Sequence, residues 1–203
     1  MKVQVPNSGA LRLILPGVVG LVTTHHRGKY DITTVSWMMP AGREPPLVAI
    51  AVHPSTMCYD LIKRSSEFVI NIPTRDVINQ VVTCGRISGN ELDKFERTGL
   101  RMAEPHVVST PYIEQCIGHL ECAVVNVHSP GDHVIFIGQV AFAMAEQDAF
   151  DESWLLVEND LKPLHHLGGA TFATLDAPID ATPPDIRAAM AAQPDEESPE
   201  SER

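Results

Sequence analysis

Short apolar runs that are rich in β-branched residues recur along the chain, and turn-forming residues separate them. Runs of this length bounded by Gly, Pro, Asn or Asp are typical of β-strands. The last two runs flank Ser129-Pro130-Gly131-Asp132, which predicts a long hairpin. The pattern predicts strands at Val18–Thr24, Ile32–Trp37, Leu47–Val52, Phe68–Pro73, Gly118–His128 and His133–Ala143.

Two segments between these strands favour short helices. Ser55–Arg64 begins with a capping-type Ser-Thr pair and has apolar residues at a helical spacing. Asp76–Cys84 is the second predicted helix, and it leads into a loop that contains glycines. Many antiparallel strands with few helices indicate a mainly β fold whose sheet is closed or nearly closed into a barrel, because closure hides the sheet edges.

The chain has 203 residues, which is enough for one domain and a tail. From residue 176 onward the tail contains eight acidic residues against two arginines, so it carries −6 of the formal net charge of −11. Its few apolar residues cannot offset the entropy cost of ordering the chain. We therefore predict a folded domain over residues 1–175 and a mostly disordered tail over residues 176–203.

Composition and spacing argue against several functions. No apolar run approaches the roughly 20 residues of a membrane span. The start of the chain lacks the pattern of a secretory signal, so we expect a cytoplasmic protein without a membrane partner. A net charge of −11 argues against a nucleic-acid partner. The nine histidines and four cysteines lack the spacings of zinc sites, so we predict reduced thiols and no metal.

The segment Cys84–Phe95 combines two glycines, small polar residues and a lysine. Glycine lets the backbone approach a ligand closely and reach positive φ, so this segment can turn N–H groups toward an anion beside the charge of Lys94. An ordinary loop that enters a helix capped by Ser88 or Asn90 explains the same residues. The local sequence leaves both interpretations open.

Several further motifs occur in order around this segment. They are Asp31–Trp37, Phe68–Pro73, Cys84-Gly85, Ser88-Gly89, Asp93-Lys94-Phe95, Leu120-Glu121-Cys122, Gly131-Asp132-His133, Ile137–Val140 and Leu167-Gly168-Gly169. In this order they make roughly residues 10 to 172 similar to the flavin reductase-like, flavoredoxin-type family. The resemblance implies an FMN-binding split β-barrel that reduces flavin with a nicotinamide or relays electrons to a protein partner. It also implies a homodimer with FMN near the subunit interface.

The resemblance places the isoalloxazine ring of FMN against the strand that ends at Trp37. Backbone amides there meet nitrogen and oxygen atoms of the ring, and an aromatic side chain covers an apolar edge. Without the resemblance, a Trp at this position is more often a core residue. The implied ring contacts are Thr34, Val35, Ser36 and Trp37, with Trp37 the first choice.

Asp31 is a further implied contact, at a position where the family commonly has an amide. A carboxylate cannot donate a hydrogen bond, and it would repel an electron-rich reduced flavin. We therefore expect Asp31 to weaken flavin binding or lower the flavin's potential, unless Lys29, Lys94 or a proton neutralises it.

The resemblance puts the phosphate at the turn before the first predicted helix. Ser55 and Thr56 are the implied hydroxyl ligands, and the helix N-terminus favours a dianion; a capping role is compatible with this. Cys84 has no resolving cysteine beside it, so we assign it to packing rather than to redox chemistry. The implied flavin contacts of the loop are Cys84, Gly85, Ser88 and Gly89, with Lys94 as the nearby cation.

Three histidines complete the implied site. His133 follows a Gly-Asp turn, where it can donate to a flavin carbonyl or to the phosphate. A hydrogen-bonded turn histidine is the alternative interpretation. His165 and His166 precede the final Gly-Gly motif, where family members place side chains over the flavin or the substrate entrance.

Two functions follow from the resemblance. The first is an enzyme in which NADH or NADPH reduces FMN, and the reduced flavin is released or passes electrons to an acceptor. The second is an FMN electron carrier that a protein partner reduces. The chain has no G-x-G-x-x-G motif after a strand, so no separate dinucleotide domain favours the enzyme over the carrier.

Overall fold

The computed structural model describes residues 2–157 and 160–179. The strands are β1 Gly17–Val18, β2 Gly20–His26, β3 Lys29–Val35, β4 Met38–Gly42, β5 Leu47–Val52, β6 Glu67–Ile72, β7 Met102–Ala103, β8 Tyr112–Ile113, β9 Gly118–His128, β10 Val134–Ala145, β11 Phe150–Asp151, β12 Ser153–Trp154, β13 Leu164–Gly168 and β14 Thr171–Thr174. The α-helices are α1 Met57–Ser65, α2 Ile78–Arg86 and α3 Lys94–Thr98. Two 3-10 helices occupy Asn7–Ile14 and Arg75–Val77.

The main sheet has seven antiparallel strands in the order β3-β2-β6-β9-β10-β5-β4. The mainly β fold is confirmed, but the sheet is not a closed barrel, because its edge strands β3 and β4 are not paired with each other. Only Ser36 and Trp37 separate these two edges along the chain, so the sheet curls until its ends approach. The result is a split barrel that is open beside β3.

The strand and helix predictions hold, with small shifts at the ends. β2, β3, β5, β6, β9 and β10 correspond to the six predicted strands, and α1 and α2 to the two predicted helices. The helix after the glycine loop is α3, and its N-cap is Asp93, whose side chain accepts a hydrogen bond from the Glu96 N–H. Neither Ser88 nor Asn90 caps it. β4, the β13–β14 hairpin and the 3-10 helix at Asn7–Ile14 were not predicted from the sequence.

Helix α2 is held against β3, and this contact fixes where the glycine loop begins. Val81 and Cys84 of α2 are buried in a cluster with Ile32 of β3. The Thr34 hydroxyl donates a 2.6 Å hydrogen bond to the Val81 carbonyl. The C-terminal end of α2 therefore lies directly beside the open edge strand.

No helix in the described part of the chain is long and apolar enough to cross a membrane. The predicted domain boundary at residue 175 stays a prediction. Most of the acidic tail, residues 180–203, lies outside the described residues.

Candidate functional site

A groove runs along β3 at the open edge of the sheet, and it consists of two adjoining cavities that share Gly85 and Arg86. The α1 cavity, of about 210 Å³, lies at the N-terminal end of α1. Its lining residues are Thr33, Ser55, Thr56, Met57, Cys84, Gly85, Arg86, Ile87, Ser88, Gly89 and Lys94. The hairpin cavity, of about 170 Å³, lies beside the β13–β14 turn and is lined by Thr34, Ser36, Val81, Val82, Gly85, Arg86, His166, Gly169, Ala170 and Phe172. We call the two together the β3 groove.

A tight turn before α1 shapes one end of the groove. Thr56 is the N-cap: its hydroxyl accepts from the Tyr59 N–H and donates its one proton to the His53 carbonyl, so no proton is left for a phosphate. The exposed Ser55 hydroxyl lies 2.8 Å from His53 Nδ1, and the Ser55 N–H points at the same nitrogen over 3.2 Å. Of the two predicted hydroxyl ligands, Ser55 is thus the one that can turn to a ligand by giving up a single exposed contact.

Lys94 is buried and paired with a carboxylate. Its side chain is 4% exposed, and Nζ lies 3.0 Å from Asp31 Oδ1. The ammonium also donates to the carbonyl of Ile32 over 2.6 Å and to that of Cys84 over 3.3 Å. Nζ therefore has three oxygen atoms within 3.3 Å, two as hydrogen-bond acceptors and one as the carboxylate of an ion pair, and Lys94 ties the loop and the end of α2 to β3 rather than forming a mobile cation in the groove.

Asp31 lies under the groove rather than in it. The residue is 1% exposed, and Lys94 is the counterion that the sequence analysis named as one way to neutralise it. Burial raises the pKa of the Asp31 carboxyl, and the charge and hydrogen bond of Lys94 oppose this rise. The expected repulsion of reduced flavin needs an unpaired carboxylate, and the structure provides a paired one.

The two glycines of the loop are needed for close approach to β3. A Cβ atom on Gly89 would lie 2.7 Å from Asp31 Cγ, and one on Gly85 would lie 3.2 Å from Thr34 Cβ. Neither glycine has a positive φ, so the reason for glycine here is space and not an unusual backbone conformation. Any larger residue at Gly89 would push the loop away from β3.

Arg86 is the available cation of the groove, and it was not predicted from the sequence. Its side chain is exposed and lines both cavities, and none of the described residues forms an ion pair with it. The sequence did contain a signal for Arg86. It lies between the two glycine motifs, and its five N–H donors suit a loop that was expected to bind an anion.

Cys84 lines the α1 cavity, but its thiol is unreactive. Burial raises its pKa to about 12, with Asp31 adding to the rise and Lys94 opposing it. A thiol with this pKa carries almost no thiolate at neutral pH. This agrees with the packing role expected from the sequence. All four cysteines are free and buried.

Ser36 and His166 form the polar side of the hairpin cavity. Ser36 Oγ lies 3.2 Å from His166 Nδ1, and His166 Nε2 lies 3.0 Å from the Gly169 carbonyl oxygen. His165, the predicted residue, is the neighbour that does not line the groove: its Nδ1 lies 3.3 Å from the Pro163 carbonyl. Successive strand residues face opposite ways, so only one of the two can face the groove.

Trp37 and His133 lie together outside the β3 groove. Their ring centroids are 4.8 Å apart, and His53 meets His133 edge-on at 5.3 Å. His133 Nδ1 also lies 2.9 Å from Asp132 Oδ1. Trp37 is 45% exposed and lines a larger apolar cleft of about 580 Å³, which shares Ser36 with the hairpin cavity.

The β3 groove brings together nine of the fourteen predicted site residues. These are Thr34, Ser36, Ser55, Thr56, Cys84, Gly85, Ser88, Gly89 and Lys94. Trp37 lines the adjacent apolar cleft. The remaining four are Asp31 and Val35, which are buried, and His133 and His165, which line neither cavity of the groove. Among the described residues, no group of three His, Cys, Asp or Glu side chains is placed to hold a metal ion.

Comparison with known proteins assigns this architecture to a family. The flavin reductase like domain matches residues 11–170, and the chain therefore belongs to that family. The uncharacterized protein YddH of Escherichia coli is 33% identical over 170 residues, which covers 81% of this chain and 90% of YddH.

Two solved structures share the fold. Flavoredoxin from Methanosarcina acetivorans has a TM-score of 0.79 at 22% identity, over 94% of this chain and 100% of that chain. An FMN-binding protein from Thermus thermophilus, solved with bound 1-cyclohex-2-enone, has a TM-score of 0.78 at 21% identity, over 90% of this chain and 98% of that chain.

Replacing Lys94 tests its role as the tether of the loop. Lys94→Met leaves the Asp31 carboxylate buried without a counterion, so the free energy of unfolding should fall by about 3–5 kcal/mol in urea titrations. The double variant Asp31→Leu/Lys94→Met removes both charges and should recover most of this loss. Lys29→Met, at an exposed position of β3, is the matched control and should change stability by about 0.5 kcal/mol or less. Equal losses in Lys94→Met and Lys29→Met would contradict the tether.

Proposed function

We propose that this protein binds FMN in the β3 groove and acts as a flavin reductase that takes electrons from NADH or NADPH. Membership of the flavin reductase like domain family supports the general chemistry. Bound FMN would supply the ring that accepts a hydride and passes electrons on, while the protein would supply position and electrostatics.

The observation that carries this proposal is the charge of the groove. The chain has a formal net charge of −11, yet among the residues that the structure describes no Asp or Glu lines either cavity of the β3 groove. Of the lining residues in the described part of the chain, Arg86 and the paired Lys94 are the ones with a permanent charge. A cleft that excludes carboxylates in an acidic protein is suited to an anionic ligand.

The donors at the α1 end fit a phosphate monoester. Arg86 offers a planar guanidinium, Ser55 an exposed hydroxyl, and the first turn of α1 its free N–H groups and the positive end of its dipole. Arg86 thus takes the place that the sequence analysis gave to Lys94. The remaining groove, along Thr34 and Ser36, is left for the isoalloxazine ring.

A second candidate is an FMN carrier reduced by a protein partner. The similarity of fold to flavoredoxin and the absence of a G-x-G-x-x-G motif in the sequence favour it. The same groove serves both candidates, so they differ only in the source of the electrons.

A homodimer is part of the proposal. The apolar cleft beside Trp37 is bordered by large exposed side chains, among them Leu11 at 59%, Ile14 at 81% and Met39 at 62% exposure. Such a patch next to the groove suits a subunit interface. Light scattering should give twice the mass of the chain, and a monomer with FMN bound would contradict this assembly.

Removing the Arg86 charge should weaken FMN far more than riboflavin. Arg86→Gln loses charge-assisted hydrogen bonds to the phosphate, each about 1.5–3 kcal/mol, so FMN should bind roughly ten- to a hundredfold more weakly in fluorescence titrations. Riboflavin lacks the phosphate, and its affinity should change little. The control is Arg64→Gln, an exposed arginine in the last turn of α1, at the opposite end from the phosphate site. Equal effects on FMN and riboflavin would place the phosphate elsewhere.

Steady-state oxidation of NADH and NADPH separates the enzyme from the carrier. With added FMN, the purified protein should consume one of the two nicotinamides at 340 nm under air, faster than FMN alone. If neither nicotinamide bleaches protein-bound flavin but a reduced redox protein does, the carrier is the correct function.

A further inference from the structure

The hydrogen bonds of the Ser36–His166 pair define which atom carries each proton. A carbonyl oxygen only accepts, so the 3.0 Å contact of His166 Nε2 with the Gly169 oxygen requires a proton on Nε2. In the neutral ring Nδ1 is then a bare acceptor. Ser36 Oγ, at 3.2 Å from Nδ1, must therefore donate its own proton to the ring.

This arrangement determines what Ser36 offers to the hairpin cavity. The hydroxyl has one proton, which it donates to His166, so only the lone pairs of Oγ remain for a ligand. When His166 is protonated, both ring nitrogens become donors and Nδ1–H donates to Oγ instead. The Ser36 hydroxyl keeps its proton but no longer donates it to His166, so it can donate to a ligand in the cavity.

We propose that the Ser36–His166 pair sets the hydrogen-bond polarity of the β3 groove, that is, whether Ser36 accepts from a ligand or donates to it. Ser36 accepts from a ligand N–H while His166 is neutral, and it loses this preference when His166 is protonated. His166 is in this role a positioning residue, and Ser36 is the residue that contacts the ligand. The inference rests on the proposed function for the identity of the ligand. Oxidised FMN offers one ring N–H, the imide, and this is the chemical group that Ser36 selects.

Among the described residues, the charged or titratable side chains near the pair are Arg86, Arg12 and His165. Arg86 of α2 lines the cavity, and the Arg12 side chain reaches the β13–β14 turn beside Gly168. His165 is the neighbour on β13, and it does not line the cavity. Phe172 packs against the His166 ring at 5.1 Å between centroids.

Nitrogen NMR of the ligand-free protein tests the pair without any flavin. In ¹⁵N-histidine-labelled protein above the titration of His166, its spectrum should show the Nε2–H tautomer. Ser36→Ala should shift the Nδ1 resonance, because that nitrogen loses its donor, while the tautomer stays the same. A Nδ1–H tautomer, or no response to Ser36→Ala, would overturn the proposal whether or not FMN binds.

The ratio of FMN dissociation constants in Ser36→Ala and the unaltered protein tests the consequence for binding. Titration of the FMN phosphate affects both proteins equally and cancels in this ratio. The ratio should be roughly two- to tenfold at a pH where NMR shows neutral His166, and smaller where it shows protonated His166, because Nδ1–H then occupies one of the two lone pairs of Oγ and the hydroxyl proton is free to point at the ligand. In a His166→Gln background, the ratio should no longer depend on pH. Ser153→Ala, at an exposed serine on β12, is the matched control with a ratio of one throughout.

A pH-independent ratio in the original background would overturn the polarity switch. Failure of FMN to bind any variant would instead refute the proposed function, and the NMR result would still decide the tautomer and the pairing.

Discussion

A single buried ammonium group determines where the glycine loop can lie. Lys94 has almost no access to water, so its protons must find oxygen atoms within the protein, because an unpaired buried charge is very costly. Two of these oxygens belong to β3 and one to the last turn of α2. The loop is thereby drawn so close to the edge strand that Gly89 has no space for a side chain.

The β3 groove exists because three separate features meet at this edge. The sheet stays open at β3, the tether fixes the loop beside it, and the turn at His53–Thr56 places the start of α1 at one end. The charges in the groove follow from the same arrangement. Asp31 is neutralised below the surface, Arg86 is left without a partner among the described residues, and Ser55 is exposed. Local charge, and not the acidic total, therefore decides which ligand this surface favours.

The parts that sequence could predict are those governed by local periodicity. Six strands and two helices follow from alternation, capping and turn residues, and so does the position of Ser55 and Thr56 before α1. The role of these two residues as phosphate ligands was implied by the family resemblance and stays a prediction. Side-chain direction at the site depends on distant contacts instead. Lys94 points inward because it pairs with Asp31 on β3. Which of His165 and His166 faces the groove depends on the register of β13 with β1. Closure of the sheet likewise depends on whether two edges pair, which no local pattern encodes.

A crystal structure with FMN tests the central claim most directly, because it locates the phosphorus atom and the ring in one measurement. The account predicts the phosphate in the α1 cavity between the first turn of α1 and the Arg86 guanidinium, with the ring along β3 toward Ser36 and His166. A flavin bound only in the apolar cleft beside Trp37, with its phosphate away from Arg86, would contradict it.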